Sequence, residues 1–201
     1  MLIAFGHRKA VGKDLTARLL QESGLFKEIN VISFAEIMKD KAYELFADLG
    51  LQLPNHYEIF RDEKEQMLPL IHKTPRELYI EYGMAIREIW PNVWIHHAMT
   101  QVIPDPSVLN IFTDLRFENE FRAIKDAGGH CIRIDRDSVP ITDDEADVAL
   151  SWLPDANWDA IMYNNGDKND LARNVLRCVK ELCKDTHIYS PVADCPNCQK
   201  K

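Results

Sequence analysis

The segment Gly6-His7-Arg8-Lys9-Ala10-Val11-Gly12-Lys13-Asp14-Leu15 sets two glycines among three cations. A glycine loop that opens a helix presents backbone N–H groups and the positive end of the helix dipole to a polyphosphate, and a lysine beside it reaches the outer phosphates. Arg8, Lys9 and Lys13 oppose that dipole by themselves, so their clustering makes physical sense with an anion in place. Two features depart from the usual pattern. Five residues, not four, separate the glycines, and Asp14 stands where a Ser or Thr hydroxyl normally meets Mg²⁺. Asp14 acting through a water and a nearby Thr16 both stay open. The rival reading is a glycine turn before a basic helix start. The loop's position straight after the first apolar run favours phosphate binding.

Transfer of a phosphoryl group between two anions needs a second cationic site, because catalysis there is mostly positioning and neutralisation. Ser33-Phe34-Ala35 leads into a segment carrying Lys39 and Lys41. Thr74-Pro75-Arg76-Glu77 has a helix-start pattern, with Thr74 as N-cap, Pro75 at the first position and Glu77 closing a capping box. Arg76 and Arg87 are 11 residues apart, which puts both on one helical face. Asp114-Leu115-Arg116 ends another apolar run. The plain alternatives are ion pairs of the arginines with Glu77, Glu81 or Glu88, and a simple cap for Asp114.

These groups need elements to hold them. Apolar runs at Leu2–Phe5, Val31–Phe34, Val108–Phe112, Cys131–Ile134 and Ala160–Tyr163 predict five strands covered on both faces. Helical spacing follows the first, third and fifth runs, and Gly128-Gly129 stops the helix after the third. Residues 35–103 read as mainly helical, broken at Pro54, Pro69, Pro75 and Pro91. Strands alternating with helices predict an α/β fold, a parallel five-stranded sheet flanked by helices. Ligands bind such sheets at the carboxyl ends of the strands, here after Phe5, Phe34, Phe112 and Tyr163. The expected organisation is one domain over 1–185, with a helical insertion at about 36–103 and a peripheral tail at 186–201.

The chain has 201 residues, 46% of them hydrophobic, and a formal charge of −8. That balance argues against a nucleic-acid backbone as partner while allowing a local cationic cluster for one nucleotide. No run suits a membrane span and no basic leader precedes Met1-Leu-Ile-Ala-Phe5, so a cytoplasmic location is expected, in keeping with five cysteines. Cys195-Pro-Asn-Cys198 has the spacing of half a zinc site and reads as a tail with two thiols. Adjacent His96-His97 diverge on a helix and read as ordinary helix residues. Asp143-Asp-Glu-Ala-Asp147 reads as a solvated helix start, and the acidic excess of Asp135–Asp147 as lying away from the cationic motifs. Trp90 and Trp94 read as core on one helical face, with Trp94 able to serve the site as well.

Four segments together resemble the deoxynucleoside monophosphate kinases of tailed bacteriophages. They are the loop ending Gly12-Lys13-Asp14, Val31-Ile-Ser-Phe-Ala35 with Lys39, Thr74-Pro-Arg-Glu-Leu78 through Gly83, Arg87 and Pro91-Asn-Val-Trp94, and Thr113-Asp-Leu-Arg-Phe-Glu-Asn-Glu120. Trp158-Asp-Ala-Ile161 with Asn164-Asn165-Gly166 is a weaker match. The resemblance implies a three-layer P-loop kinase fold whose helical insertion binds the acceptor. It implies ATP, with Mg²⁺, on Gly6 to Leu15 and with its base near Asn165 and Gly166. It implies a deoxynucleoside monophosphate (dNMP) on Ser33, Phe34, Lys39, Arg76, Arg87 and Trp94. Asp114 and Arg116 would stand near the transferred group, Lys13, Arg87 and Arg116 would be catalytic, and Asp14 and Asp114 would meet Mg²⁺ through water. One stretch departs from the family: Thr142-Asp-Asp-Glu-Ala-Asp147 stands where a Ser-Glu pair is expected, and no lid arginine is assigned to it. A kinase of another phosphorylated metabolite and a non-catalytic nucleotide-binding module are the alternatives. A host-cell cytoplasm would follow from a phage source, and a homodimer stays open.

Overall fold

The computed structural model describes residues 1–53, 63–142 and 145–184. In chain order the elements are β1 (Leu2–Gly6), α1 (Lys13–Glu22), β2 (Glu28–Ile32), α2 (Glu36–Asp48), α3 (Pro75–Ile89), α4 (Val93–Thr100), β3 (Val108–Leu115), α5 (Glu118–Asp126), β4 (His130–Asp135), α6 (Glu145–Val148), β5 (Ala160–Tyr163) and α7 (Lys168–Leu182). The described residues divide into two compact units, one of residues 1–32 with those from 101 onward, the other of residues 33–100. No described helix is long and apolar enough to cross a membrane.

In the first unit the strands form one sheet in the order β2-β3-β1-β4-β5, every pair parallel. The expected parallel five-stranded sheet is therefore present. β1 and β3 are buried almost throughout, as central strands must be. β2 and β5 lie at the edges, where Val31 and Tyr163 are exposed rather than covered. The second strand also starts earlier than its apolar run and stops at Ile32, so Ser33 and Phe34 lie beyond it. An edge strand needs only one buried face, so Glu28 and Asn30 fit it and the apolar run misjudges its bounds.

Alternation splits each central strand between two helical layers. Ile3 and Phe5 of β1 pack with Leu109, Ile111, Ile132 and Ile134 against Leu19 and Leu20 of α1 and Leu171, Val175 and Val179 of α7. On the opposite side, Leu2 meets Ile124 of α5 around Gly129, and the Cys131 Sγ approaches the Phe121 carbonyl at 3.9 Å. Phe121 and Trp158 pack edge to face, their centroids 5.1 Å apart. At the amino end of the sheet the buried Asn110 side chain binds Asn30, Ile103 and the Met1 carbonyl, which ties the chain start to β3.

At the carboxyl end the ladder is irregular. Ala4 pairs with Phe112, but Gly6 pairs with Leu115, so β3 carries one extra residue at Thr113–Asp114. A bulge of this kind redirects the side chains after it. It turns Leu115 toward Gly6 and Trp158 and sends the chain on to Arg116.

The second unit is helical. Thr74 caps α3 as its sequence predicts: its hydroxyl accepts the Glu77 amide at 3.2 Å, and its own amide donates to Glu77 at 2.8 Å. Leu51, Leu53, Leu68 and Leu78 form a core with Tyr43, Phe46 and Ile71. Gly83 of α3 lies against Met38 of α2, where a Cβ would come within 3.3 Å.

A side chain at Gly6 has no room, since its Cβ would stand 2.8 Å from two atoms of the buried Trp158 indole. Gly6→Ala is expected to destabilise the protein by about 1–3 kcal/mol through overpacking. Thermal melts check this, and Gly6→Ala/Trp158→Phe should regain most of the loss.

Candidate functional site

The phosphate-type loop runs from the end of β1 into α1. Its backbone takes left-handed values at His7 (φ 88°), Ala10 (φ 60°) and Gly12 (φ 107°). Only the last is a glycine, so the two others are strained, at roughly 1–2 kcal/mol each. Such a loop needs anchors, and it has several. The His7 amide donates to the Leu115 carbonyl at 3.3 Å. His7 Nδ1 lies 2.9 Å from Asp135 Oδ1 at the end of β4. The buried Asn164, just past β5, donates to the Val11 carbonyl at 2.8 Å. The Lys9 amide donates to Asp147 Oδ1 at 2.8 Å.

Lys13 opens α1 and is only 6% exposed. Its ammonium donates to the carbonyls of His7, at 3.3 Å, and Arg8. Burial pushes its pKa down to about 8, and the positive charge of Arg116 acts the same way, against the opposing pull of Asp14, Asp114 and Asp147. Those couplings link Lys13 electrostatically to Arg116 and to the three carboxylates. Burial also lowers the pKa of His7, more than the Asp135 hydrogen bond and charge raise it. A carboxylate only accepts, so the neutral imidazole directs Nδ1–H at Asp135.

Arg116 is positioned by its backbone and by its head. Glu120, buried in the first turn of α5, accepts the amides of Arg116 at 2.9 Å and Phe117 at 3.0 Å. The Arg116 guanidinium donates to Asp147 Oδ1 at 3.1 Å. The Thr142 hydroxyl donates to Asp147 Oδ2 at 2.8 Å, and Lys9 Nζ stands 3.9 Å from that oxygen. Burial alone would raise the Asp147 pKa, but the Lys9 amide, the Thr142 hydroxyl and the two cations hold it below the ordinary carboxylate value.

Several expectations change. The acidic stretch is not set apart from the cationic motifs, because Asp135 and Asp147 bind the loop directly. Asp147 is buried, not part of a solvated helix start; Asp143 and Asp144 lie outside the described residues. The Lys9 amide is committed to Asp147, so it is not among the loop donors offered to a phosphate. The Thr16 hydroxyl donates to the Gly12 carbonyl at 2.9 Å, which leaves Asp14 as the exposed oxygen donor of that turn. Asp147 and Asn164 were read only within longer segments, with no role of their own. A lone buried Asp in a four-residue helix has no periodic signal.

The remaining residues fall as follows. Asp114 sits at the β3 bulge. Asn165 exchanges hydrogen bonds with Asp137, at 2.9 Å from its amide and 2.8 Å to its carboxylate, and Gly166 packs against Asp170 of α7. In the helical unit the Ser33 hydroxyl accepts the Ala35 amide at 3.2 Å, Phe34 is buried and Lys39 half-buried. Arg76 lies 3.5 Å from Glu65, and Arg87 occupies the last turn of α3. Trp94 is buried with Nε1 donating to the Gly83 carbonyl at 3.2 Å, while Trp90 ends α3 and is exposed, so the two do not share a helical face. Cys195 and Cys198 lie outside the described residues, among which no group of three or more His, Cys, Asp or Glu is arranged for a metal.

The donor set suits a polyphosphate. A left-handed loop opens α1 beside a buried lysine, and the buried Arg8 Nε has no acceptor among the described residues. Asp14 and Asp114, both near Lys13, supply the one or two carboxylates that Mg²⁺ takes beside phosphate oxygens, so the residues present fit that ion.

No protein-family model matches the chain. A "Putative deoxynucleotide monophosphate kinase" of Acanthamoeba polyphaga mimivirus is 24% identical over 196 residues, covering 89% of this chain and 96% of that protein. Among solved structures, dephospho-CoA kinase of Campylobacter jejuni matches with a TM-score of 0.51 at 14% identity, covering 91% of this chain and 97% of that one. Shikimate kinase of Aquifex aeolicus covers 91% of this chain and 98% of its own at 12% identity, with a TM-score of 0.40. The chain has the three-layer α/β fold of P-loop kinases.

Because the Asp147 pKa is held low, the stability it contributes is present above about pH 4 and lost as the pH falls through its lowered value. Asp147→Asn is expected to cost about 1–3 kcal/mol at pH 7. The difference from the parent protein should shrink as the pH falls below about 4. Urea titrations across that range measure it.

Proposed function

We propose that this chain is an ATP-dependent kinase that transfers the γ-phosphoryl group to a deoxynucleoside monophosphate, giving a deoxynucleoside diphosphate and ADP. The observation that carries the reading is the buried Lys13 at the start of α1, inside a loop whose remaining amides and left-handed turns form an anion nest. The name of the mimivirus relative and the four matching segments support the acceptor class.

In this reading the loop from Gly6 to Leu15 cradles the β-phosphate, with Lys13 exchanging the His7 and Arg8 carbonyls for outer phosphate oxygens. Ser33, Lys39, Arg76 and Arg87 of the helical unit hold the acceptor monophosphate, and Phe34 and Trp94 stiffen the elements that carry them. Asn165 and Gly166 border the ATP base. An acceptor phosphate oxygen attacks the γ-phosphorus in line, the bond to the β–γ bridging oxygen breaks, and ADP leaves with that electron pair. Arg116 neutralises charge on the transferring group. The acceptor is already anionic, so no general base is needed. Asp14 and Asp114 would hold Mg²⁺ through water, and the ion would supply positive charge to offset that of the phosphates.

Coupled assays with dTMP, dGMP, dCMP, dAMP and the ribonucleotides test the acceptor. Turnover with at least one dNMP is expected. Lys13→Ala should lower kcat/KM by about 10²–10³-fold, the scale of a lost charged donor to the transition state. Unchanged turnover would remove the loop assignment. Transfer to another phosphorylated metabolite in place of every dNMP would move the acceptor class.

A further inference from the structure

Asp147 is the most completely held carboxylate of the loop region, and the kinase reading has no role for it. Its side chain is 1% exposed, while that of Arg116 is 26% exposed. Arg116 reaches this buried carboxylate through the guanidinium nitrogen Nη1. Among the described residues its contacts come from three parts of the chain: the Lys9 amide and ammonium, the Thr142 hydroxyl and Arg116. A buried carboxylate is a poor way to gain stability, because an apolar side chain of similar size would fill the position with no desolvation penalty. What a carboxylate adds is geometry, since two oxygens fix several donors at set directions. Here Oδ1 is shared by a loop amide and the arginine.

We propose that Asp147 is a positioning residue for phosphoryl transfer: one carboxylate oxygen sets the Lys9 end of the phosphate loop and the Arg116 guanidinium at a fixed separation. The inference rests on the kinase reading and deepens it. The loop carries two strained residues, His7 and Ala10, on either side of Lys9, and this anchor fixes the Lys9 amide between them. Glu120 holds Arg116 through its backbone, and Asp147 aims the guanidinium. A displacement of about 1 Å between a phosphate site and a neutralising group is worth up to about 10²-fold in rate.

The test separates positioning from folding. Asp147→Asn keeps the shape and removes the charge. Its kcat is expected to fall about 10–100-fold at saturating ATP and acceptor, with a smaller change in KM for either. Asp147→Glu should recover part of that loss. In the Arg116→Lys background Asp147→Asn should cost little more, because both act on one group. Unchanged kcat in well-folded Asp147→Asn, or losses that multiply in the double variant, would overturn the assignment. Should Asp147→Asn fail to fold, Thr142→Val frees Oδ2 and leaves the carboxylate: a fall in kcat of about threefold or more supports the proposal, and an unchanged kcat overturns it. If no acceptor is turned over by the parent protein, the kinase reading fails separately. Titration calorimetry with ATP then reads the same double variant, where non-additive losses of affinity support the link between Lys9 and Arg116 and additive ones refute it.

Discussion

Lys13 and Arg116 stand close enough for the charge of one to lower the proton affinity of the other, and Lys13 is almost wholly out of water. Two cations held in this way are costly to a folded chain unless something answers them. The surrounding structure is largely that answer. Loop carbonyls of His7 and Arg8 replace water around the ammonium, and Asp14, Asp114 and Asp147 offset its charge. Burial, more than the charge of Arg116, outweighs that offset and keeps the Lys13 pKa lowered.

The sheet order explains how these groups meet. β1 lies between β3 and β4, so the loop after β1 has the ends of both neighbours beside it. From β3 the bulge brings Asp114 and Arg116, and from β4 comes Asp135 against His7. Asn164 follows β5 and reaches the Val11 carbonyl, so the outer strand also contributes to the loop. Each contact is made by a residue at or just past a strand end, where the backbone has left the ladder and its side chains are free to turn inward.

The framework was legible because it depends on burial. Leu2–Phe5, Val108–Phe112 and Ala160–Tyr163 are strands in the structure, and Thr74-Pro75-Arg76-Glu77 is a capped helix start, since apolar runs and capping boxes act locally. Glu28 and Asn30 were not legible as strand, because an edge strand satisfies its exposed face with water. The loop and Lys13 were legible because glycine and lysine at that spacing answer a local backbone need. Asp147 and Asn164 were not, because their partners, Lys9 and Val11, are 138 and 153 residues away in sequence. Acidic residues in a polar segment look alike whether solvated or buried, and only a tertiary partner tells them apart. Charge alone set the acidic stretch apart from the cationic motifs, whereas its Asp147 carboxylate binds Lys9 and Arg116.

The strained turns of the loop and the carboxylate that anchors it are linked. Glycine takes left-handed turns without strain. Here His7 and Ala10 take such turns with a Cβ in place, which persists only where surrounding contacts over-determine the backbone. The His7–Asp135 hydrogen bond is made by the first strained residue, and the Lys9–Asp147 bond lies just before the second. A neutral acceptor could satisfy the Lys9 amide, but it would leave Arg116 and Lys9 facing each other with no charge between them. A carboxylate serves both needs at once, and placing it in the 142–148 segment ties the chain between β4 and β5 to the loop it covers. The loop and the acidic segment thus meet at one carboxylate, which Lys9 and Arg116 share.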